Sequence, residues 1–367
     1  MGSYYIVFSA LLDPHSSSGF AHNIPEEDCK QEEGHDRLRE REIVTCFISF
    51  LRLYMDRCRS LHLTVEFNSS LPSLSKIVPS RSPLLRVLDI QCQSDDGIHL
   101  EEVEEEDDVD NDKQEEYYPR LRFMKLDARC FLRSINNPPD WLIHQRQLRH
   151  AEISTFASQS FRLPLEDTVS TINRLCPTSL LSLCLSRVDL DPDFHIQSID
   201  RVPGSSYMFN RVKRLHFCEM EPDFVENVLD ICNFANLTTL TLRDCPGVKP
   251  RIFTKISSIV TTLNLEEFSK IKDSKDPEAH ALPHADIIRL LSGWRGSILS
   301  LSASDSSFDS IFSALAERSS GWRSRVPGPS SLLCPNMQSL LISACPPPSF
   351  DIVKRMVEKR NVTIQYY

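Results

Sequence analysis

A ten-residue frame occurs twice in nearly the same form, about a hundred residues apart. Leu237-Thr-Thr-Leu240-Thr-Leu242-Arg-Asp-Cys245-Pro246 fits L-x-x-L-x-L-x-x-C at every fixed position, and Met337-Gln-Ser-Leu340-Leu-Ile342-Ser-Ala-Cys345-Pro346 follows it closely. Weaker copies are Leu85-Arg-Val-Leu88-Asp-Ile90, Leu121-Arg-Phe-Met124-Lys-Leu126, Leu148-Arg-His-Ala151-Glu-Ile153 and Leu180-Leu-Ser-Leu183-Cys-Leu185. Val212-Lys-Arg-Leu215-His-Phe217, Val260-Thr-Thr-Leu263-Asn-Leu265 and Ile298-Leu-Ser-Leu301-Ser-Ala303 complete the set. Their third fixed positions step by 23 to 39 residues, a spacing longer and less regular than that of typical leucine-rich repeats.

Within each frame the apolar fourth and sixth positions alternate with polar ones, which marks a strand with one buried face. The small residue at position nine tucks under the loop that leaves the strand. Amphipathic helical patterns lie between frames, at Glu166–Leu175, Asp223–Cys232, Arg251–Val260, Ala285–Trp294 and Phe308–Ala316. Strand alternating with helix at this spacing predicts parallel strands. The expected fold is therefore α/β: an irregular leucine-rich-repeat solenoid, a horseshoe with strands on its concave face and helices on its convex face.

A solenoid needs caps at both ends. Residues 1–39 are expected to be poorly ordered, and 40–367 to form the repeat domain. Glu40–Asp56 reads as a capping helix presenting Ile43, Val44, Phe47, Ile48, Leu51, Tyr54 and Met55 on one face. A first strand follows at Leu61–Val65. At the other end, 349–367 reads as a cap: Ser349 starts a helix carrying Ile352, Val353, Met356 and Val357, and a strand closes it at Val362–Tyr366.

Charge and composition exclude several classes. Between Ser94 and Glu116 there are thirteen acidic residues and one basic, Lys113, so this segment carries −12 of a chain whose net charge is −10. The remainder is nearly neutral, with no basic footprint for nucleic acid. The acidic stretch reads as a disordered, solvated insertion. Ten glycines against 23 prolines argue against Gly-rich nucleotide loops. Twelve cysteines, none in CxxC, suit a reducing compartment, with Cys184, Cys218 and Cys232 placed like small apolar residues. No stretch is apolar enough to span a membrane. The expectation is a cytoplasmic or nuclear monomer.

Chemical motifs are sparse. Asp189-Leu-Asp191-Pro-Asp193-Phe194 opens like a calcium loop but has Phe194 where the turn needs glycine, and so reads as a turn. His280 and His284 flank Pro283 without further ligands and read as a loop. No phosphate loop or nucleophile elbow is present, so no cofactor, no metal and no enzyme activity are expected. What remains for recognition is the concave face, where side chains between the buried leucines point outward. Asp127, Glu152 and Ser154 fall on that face, and the expected partner-binding residues are Lys125, Arg214, His216, Thr241, Arg243, Asn264 and Glu266.

Two segments carry a family resemblance. Phe50-Leu-Arg-Leu53-Tyr-Met-Asp-Arg57-Cys-Arg-Ser60-Leu61-His-Leu63-Thr-Val65 is similar to the entry into the first strand of fungal, especially basidiomycete, F-box/leucine-rich-repeat proteins. Leu333-Cys-Pro-Asn336-Met-Gln-Ser-Leu340, continuing through Cys345-Pro346 to Phe350–Val357, resembles that family's closing motif. The resemblance covers residues 40–367, and it implies a protein-recognition scaffold acting as the substrate-binding part of a ubiquitin ligase adaptor. The family's F-box docks a Skp-type adaptor. Here the nearest counterpart, Ile24-Pro25-Glu26-Glu27, is followed by a run lacking the apolar face such docking needs, so the resemblance is to the repeat portion.

Overall fold

The computed structural model describes residues 4–9, 26–71, 73–78, 82–94, 119–136, 139–143, 147–155, 161–175, 179–191, 207–256, 260–267, 282–302, 309–316, 333–343 and 349–367. The acidic segment beyond Ser94, Cys345 and His280 lie outside the described residues. The chain forms two compact units, Met1–Leu163 with Arg174–Ser179, and Pro164–Asn173 with Leu180–Tyr367. Both are α/β, built on parallel strands.

In the first unit the strands Tyr4–Ser9 (β1), Cys58–Phe67 (β2), Val87–Ser94 (β3), Phe123–Asp127 (β4) and His150–Ser154 (β5) pair in that order, all parallel. The register stacks equivalent frame positions. Leu61, Leu88, Met124 and Ala151 form one buried row, and Leu63, Ile90, Leu126 and Ile153 the next. Burial of a leucine-sized side chain is worth about 1.5–3 kcal/mol. Those rows therefore dominate the stability of the unit.

Two parts of 1–39 carry secondary structure. Tyr4–Ser9 extends the sheet, which covers the backbone edge that β2 would otherwise expose. A helix runs from Glu26 to Arg52, well before the expected start at Glu40. The packed face is also narrower than predicted: Val44, Ile48, Leu51 and Met55 are buried, whereas Ile43 and Tyr54 are exposed on its flank. Phe47, on the same flank, stacks on Phe8 of β1 at 3.9 Å between ring centroids. Glu40 lies on the buried stripe, where its carboxylate accepts the backbone N–H groups of Glu66 at 2.6 Å and Phe67 at 3.0 Å.

In the second unit, seven of the described strands pair into one parallel series: Ser182–Ser186 (β6), Arg214–Cys218 (β7), Thr239–Arg243 (β8), Thr262–Glu266 (β9), Ile298–Ser302 (β10), Ser339–Ser343 (β11) and Thr363–Tyr366 (β12). Leu183, Leu215, Leu240, Leu263, Leu299 and Leu340 share one buried row; Leu185, Phe217, Leu242, Leu265, Leu301 and Ile342 share the other. One frame is thereby corrected. The inward pair on β10 is Leu299 and Leu301, two residues earlier than expected, and Gly296 takes the first fixed position. The predicted helices occur as Leu165–Leu175, Pro222–Ile231, Leu282–Gly293 and Asp309–Ala316. Of Arg251–Val260, the described residues show one helical turn, Ile252–Lys255. His284 belongs to the helix Leu282–Gly293, with Pro283 in the first turn where its missing N–H costs nothing. Ser349 occupies the N-cap position of Phe350–Arg360 but makes no capping bond through its side chain.

Four consecutive strands of this unit leave the sheet by the same corner. Arg187, Glu219, Asp244 and Glu267, each the residue after its strand, all adopt left-handed backbone with φ between 47° and 57°. Each donates its N–H to the next strand: Glu219 to Arg243 O at 2.7 Å, Asp244 to Glu266 O and Glu267 to Ser302 O at 2.8 Å. The ladder is thus continued around the turn, which offsets a conformational cost of about 1–2 kcal/mol per residue. Glu267→Gly should relieve that cost, raising the free energy of unfolding by about 0.5–1 kcal/mol in a urea titration. A loss of stability would mean that the carboxylate, not the corner, matters there.

Candidate functional site

The register that stacks the buried leucines also stacks the residues between them. On the outward face of the second unit, one row runs through Ser182, Arg214, Thr239 and Thr262. The next runs through Cys184, His216, Thr241 and Asn264, and the third through Ser186, Cys218, Arg243 and Glu266. Six of the seven expected recognition residues therefore share one face. Arg214 and Arg243 are exposed, while His216, Asn264 and Glu266 are half-buried. Thr241 departs from expectation: it is buried, and its hydroxyl accepts a hydrogen bond from Asn264 Nδ2 at 3.1 Å. Directly opposed residues on parallel strands are close enough for this pairing, which covers the smaller side chain.

The seventh, Lys125, belongs to the first unit, where its ammonium pairs with Glu152 at 2.8 Å. Asp127 and Ser154, also expected outward, are buried. Asp127 Oδ1 accepts the N–H of Arg129 at 3.0 Å because a helix, Ala128–Asn136, starts directly after β4 and draws the carboxylate over its first turn. Elsewhere in this unit lies a network that the repeat frame by itself does not reveal. Ser60 Oγ is 2.8 Å from His62 Nε2, and His62 Nδ1 is 3.2 Å from Asp89 Oδ2. Gln91 Nε2 donates to both oxygens of Asp89, at 3.0 and 3.1 Å. Its trace in the sequence was the fifth frame position, occupied by His62 in one repeat and Asp89 in the next.

The thiols divide by face. Cys184 and Cys218, read from the sequence as buried apolar substitutes, are half-buried on the outward face with sulfurs 4.0 Å apart. Cys245 is buried as expected, its Sγ donating to Phe217 O at 3.4 Å and Arg243 O at 3.3 Å. Burial pushes the Cys58 thiol up to about 11 and those of Cys245 and Cys334 up to about 12, and it also raises Cys92 and Cys232. The thiolate is the reactive form. At pH 8, iodoacetamide should therefore label exposed Cys46 ahead of the buried Cys58, Cys245 and Cys334. Cys58, Cys245 and Cys334 should be modified only after unfolding, as read by peptide mass mapping. Rapid labelling of Cys245 in the folded chain would contradict the arrangement.

Among the described residues, no three His, Cys, Asp or Glu side chains are grouped to hold a metal ion, and no helix is long and apolar enough to cross a membrane. The arrangement supplies instead rows of polar groups on the parallel strands of each unit, with the exposed guanidinium groups of Arg214 and Arg243 on the outward face of the second. No family model and no curated protein matches this chain.

Proposed function

We propose that the chain is a leucine-rich-repeat scaffold that recognises a protein partner through the outward sheet face of its second unit. The supporting observation is the pair Arg214 and Arg243, exposed on adjacent in-register strands whose opposite faces are core. In this reading the strands line the concave side of a horseshoe and the helices its convex side. A guanidinium keeps its charge and offers planar, bidentate donors, so the partner would present carboxylates to this face. The resemblance to the repeat portion of fungal F-box proteins adds a context, in which the scaffold selects substrates for a ubiquitin ligase.

Affinity purification of the tagged full-length chain, read by mass spectrometry, tests both parts. The scaffold reading expects a protein enriched well above the tag control, held by a salt-sensitive contact. The ligase context expects a Skp-type adaptor and a cullin in the same eluate. Recovery of a partner without either would remove the ligase context and leave recognition standing. An eluate indistinguishable from the control would overturn recognition itself.

A further inference from the structure

The first unit holds a second polar constellation that the recognition reading does not use. Ser60 and His62 stand two residues apart on β2, so both side chains leave the same face. Asp89 lies directly opposite His62 on β3. A carboxylate can only accept, so Asp89 fixes the imidazole proton on Nδ1. Nε2 is then an acceptor, and the Ser60 hydroxyl donates to it across 2.8 Å. This is the connectivity by which a base activates a serine and an acid orients the base. Gln91 adds the outer support by holding both oxygens of Asp89. The backbone is irregular at the same place. Tyr4 pairs with Cys58 but Tyr5 with Ser60, leaving Arg59 without a counterpart on β1. Bulges of this kind re-aim side chains and interrupt pairing, and they concentrate beside reactive sites.

We propose that Ser60 is an acyl-accepting nucleophile, with His62 as its general base and Asp89 as the residue that positions the imidazole. Ser60 is 4% exposed, whereas the His62 side chain is 37% exposed. Only a slim acyl donor, approaching over the imidazole, reaches the hydroxyl. The substrate class is accordingly a small ester with a good leaving group. Ser60 Oγ bonds to the acyl carbon as its proton passes to His62 Nε2. The imidazolium then gives that proton to the leaving oxygen as the carbon–oxygen bond breaks. The products are an ester on Ser60, a free alcohol and a neutral His62. Attack by water reverses the same proton transfers and restores the serine.

The test uses the intact chain with p-nitrophenyl acetate and, separately, a small fluorophosphonate, with adducts mapped by tandem mass spectrometry. The folded wild type should carry one adduct on Ser60, and Ser60→Ala should lose it. His62→Gln and Asp89→Asn should slow Ser60 modification by about 100-fold or more while melting near the wild type. If His62→Gln does not fold, Asp89→Asn carries the same reading, because it keeps the shape and removes the orienting charge. No adduct on Ser60, or an adduct formed equally fast in Asp89→Asn, would overturn the proposal. Modification only under denaturing conditions would do the same.

Discussion

Gly296→Val should destabilise the protein by about 3 kcal/mol, although valine occupies the equivalent place in the preceding repeat. Val260 and Gly296 hold the same frame position, three residues before the register pair Leu263 and Leu299. A Cβ added at Gly296 would sit 2.5 Å from Trp294 Cζ2, 2.6 Å from Cε2 and 2.6 Å from Val260 O. The indole is fully buried and stands in for the side chain that other repeats place there. One of the three obstructing atoms is backbone, so the clash cannot be relieved by a rotamer change alone. Trp294→Ala alone should cost about 3–5 kcal/mol through the cavity it leaves. The double variant Gly296→Val with Trp294→Ala should lose less than the two single changes together, because one fills the space that the other vacates. Urea titrations followed by circular dichroism would read all three. Wild-type stability in Gly296→Val would show that the indole does not occupy that place.

Glu40→Ala should cost about 3 kcal/mol for a related reason, a buried group whose partners cannot be satisfied by anything else. The Glu40 carboxylate is fully buried and accepts the N–H groups of Glu66 and Phe67, at the end of β2. Removing it leaves these two N–H donors without their acceptor. Glu40→Gln keeps one acceptor oxygen and should lose about half as much. Equal stability of Glu40→Ala and the wild type would mean that the end of β2 is satisfied in another way.

These two positions also mark what could and could not be read from the sequence. The rows of Leu240, Leu263 and Leu340 were legible because leucine recurring at a fixed spacing, alternating with polar residues, marks the buried face of a repeated strand. The frame at β10 slipped by two because its first position is glycine, and the tryptophan that replaces it comes two residues earlier, outside the pattern. Tyr4–Ser9 matched no frame, since an edge strand covered on one side only need not repeat the leucine motif. Residues 26–39 match no repeat frame either, and they share one helix, Glu26–Arg52, with the buried Val44, Ile48 and Leu51. Alternation placed Arg214, His216, Arg243, Asn264 and Glu266 on the outward face of the sheet, where the register has them. It did not foresee that Asn264 would cover Thr241, or that Asp127 would be drawn under by the helix that follows it. The Ser60–His62–Asp89 relay joins two repeats at one frame position, so it becomes visible only when the register between β2 and β3 is known.

Charge reversal on the recognition face addresses the central claim most directly. Arg214→Glu with Arg243→Glu changes two exposed side chains and leaves every buried row intact, so folding should be unaffected. The partner recovered by the wild-type chain should bind this variant at least about tenfold more weakly at physiological salt. Lys213→Glu, a change at an exposed residue just before β7, serves as a charge control and should have a smaller effect. Undiminished binding by the folded double variant would contradict recognition through this face.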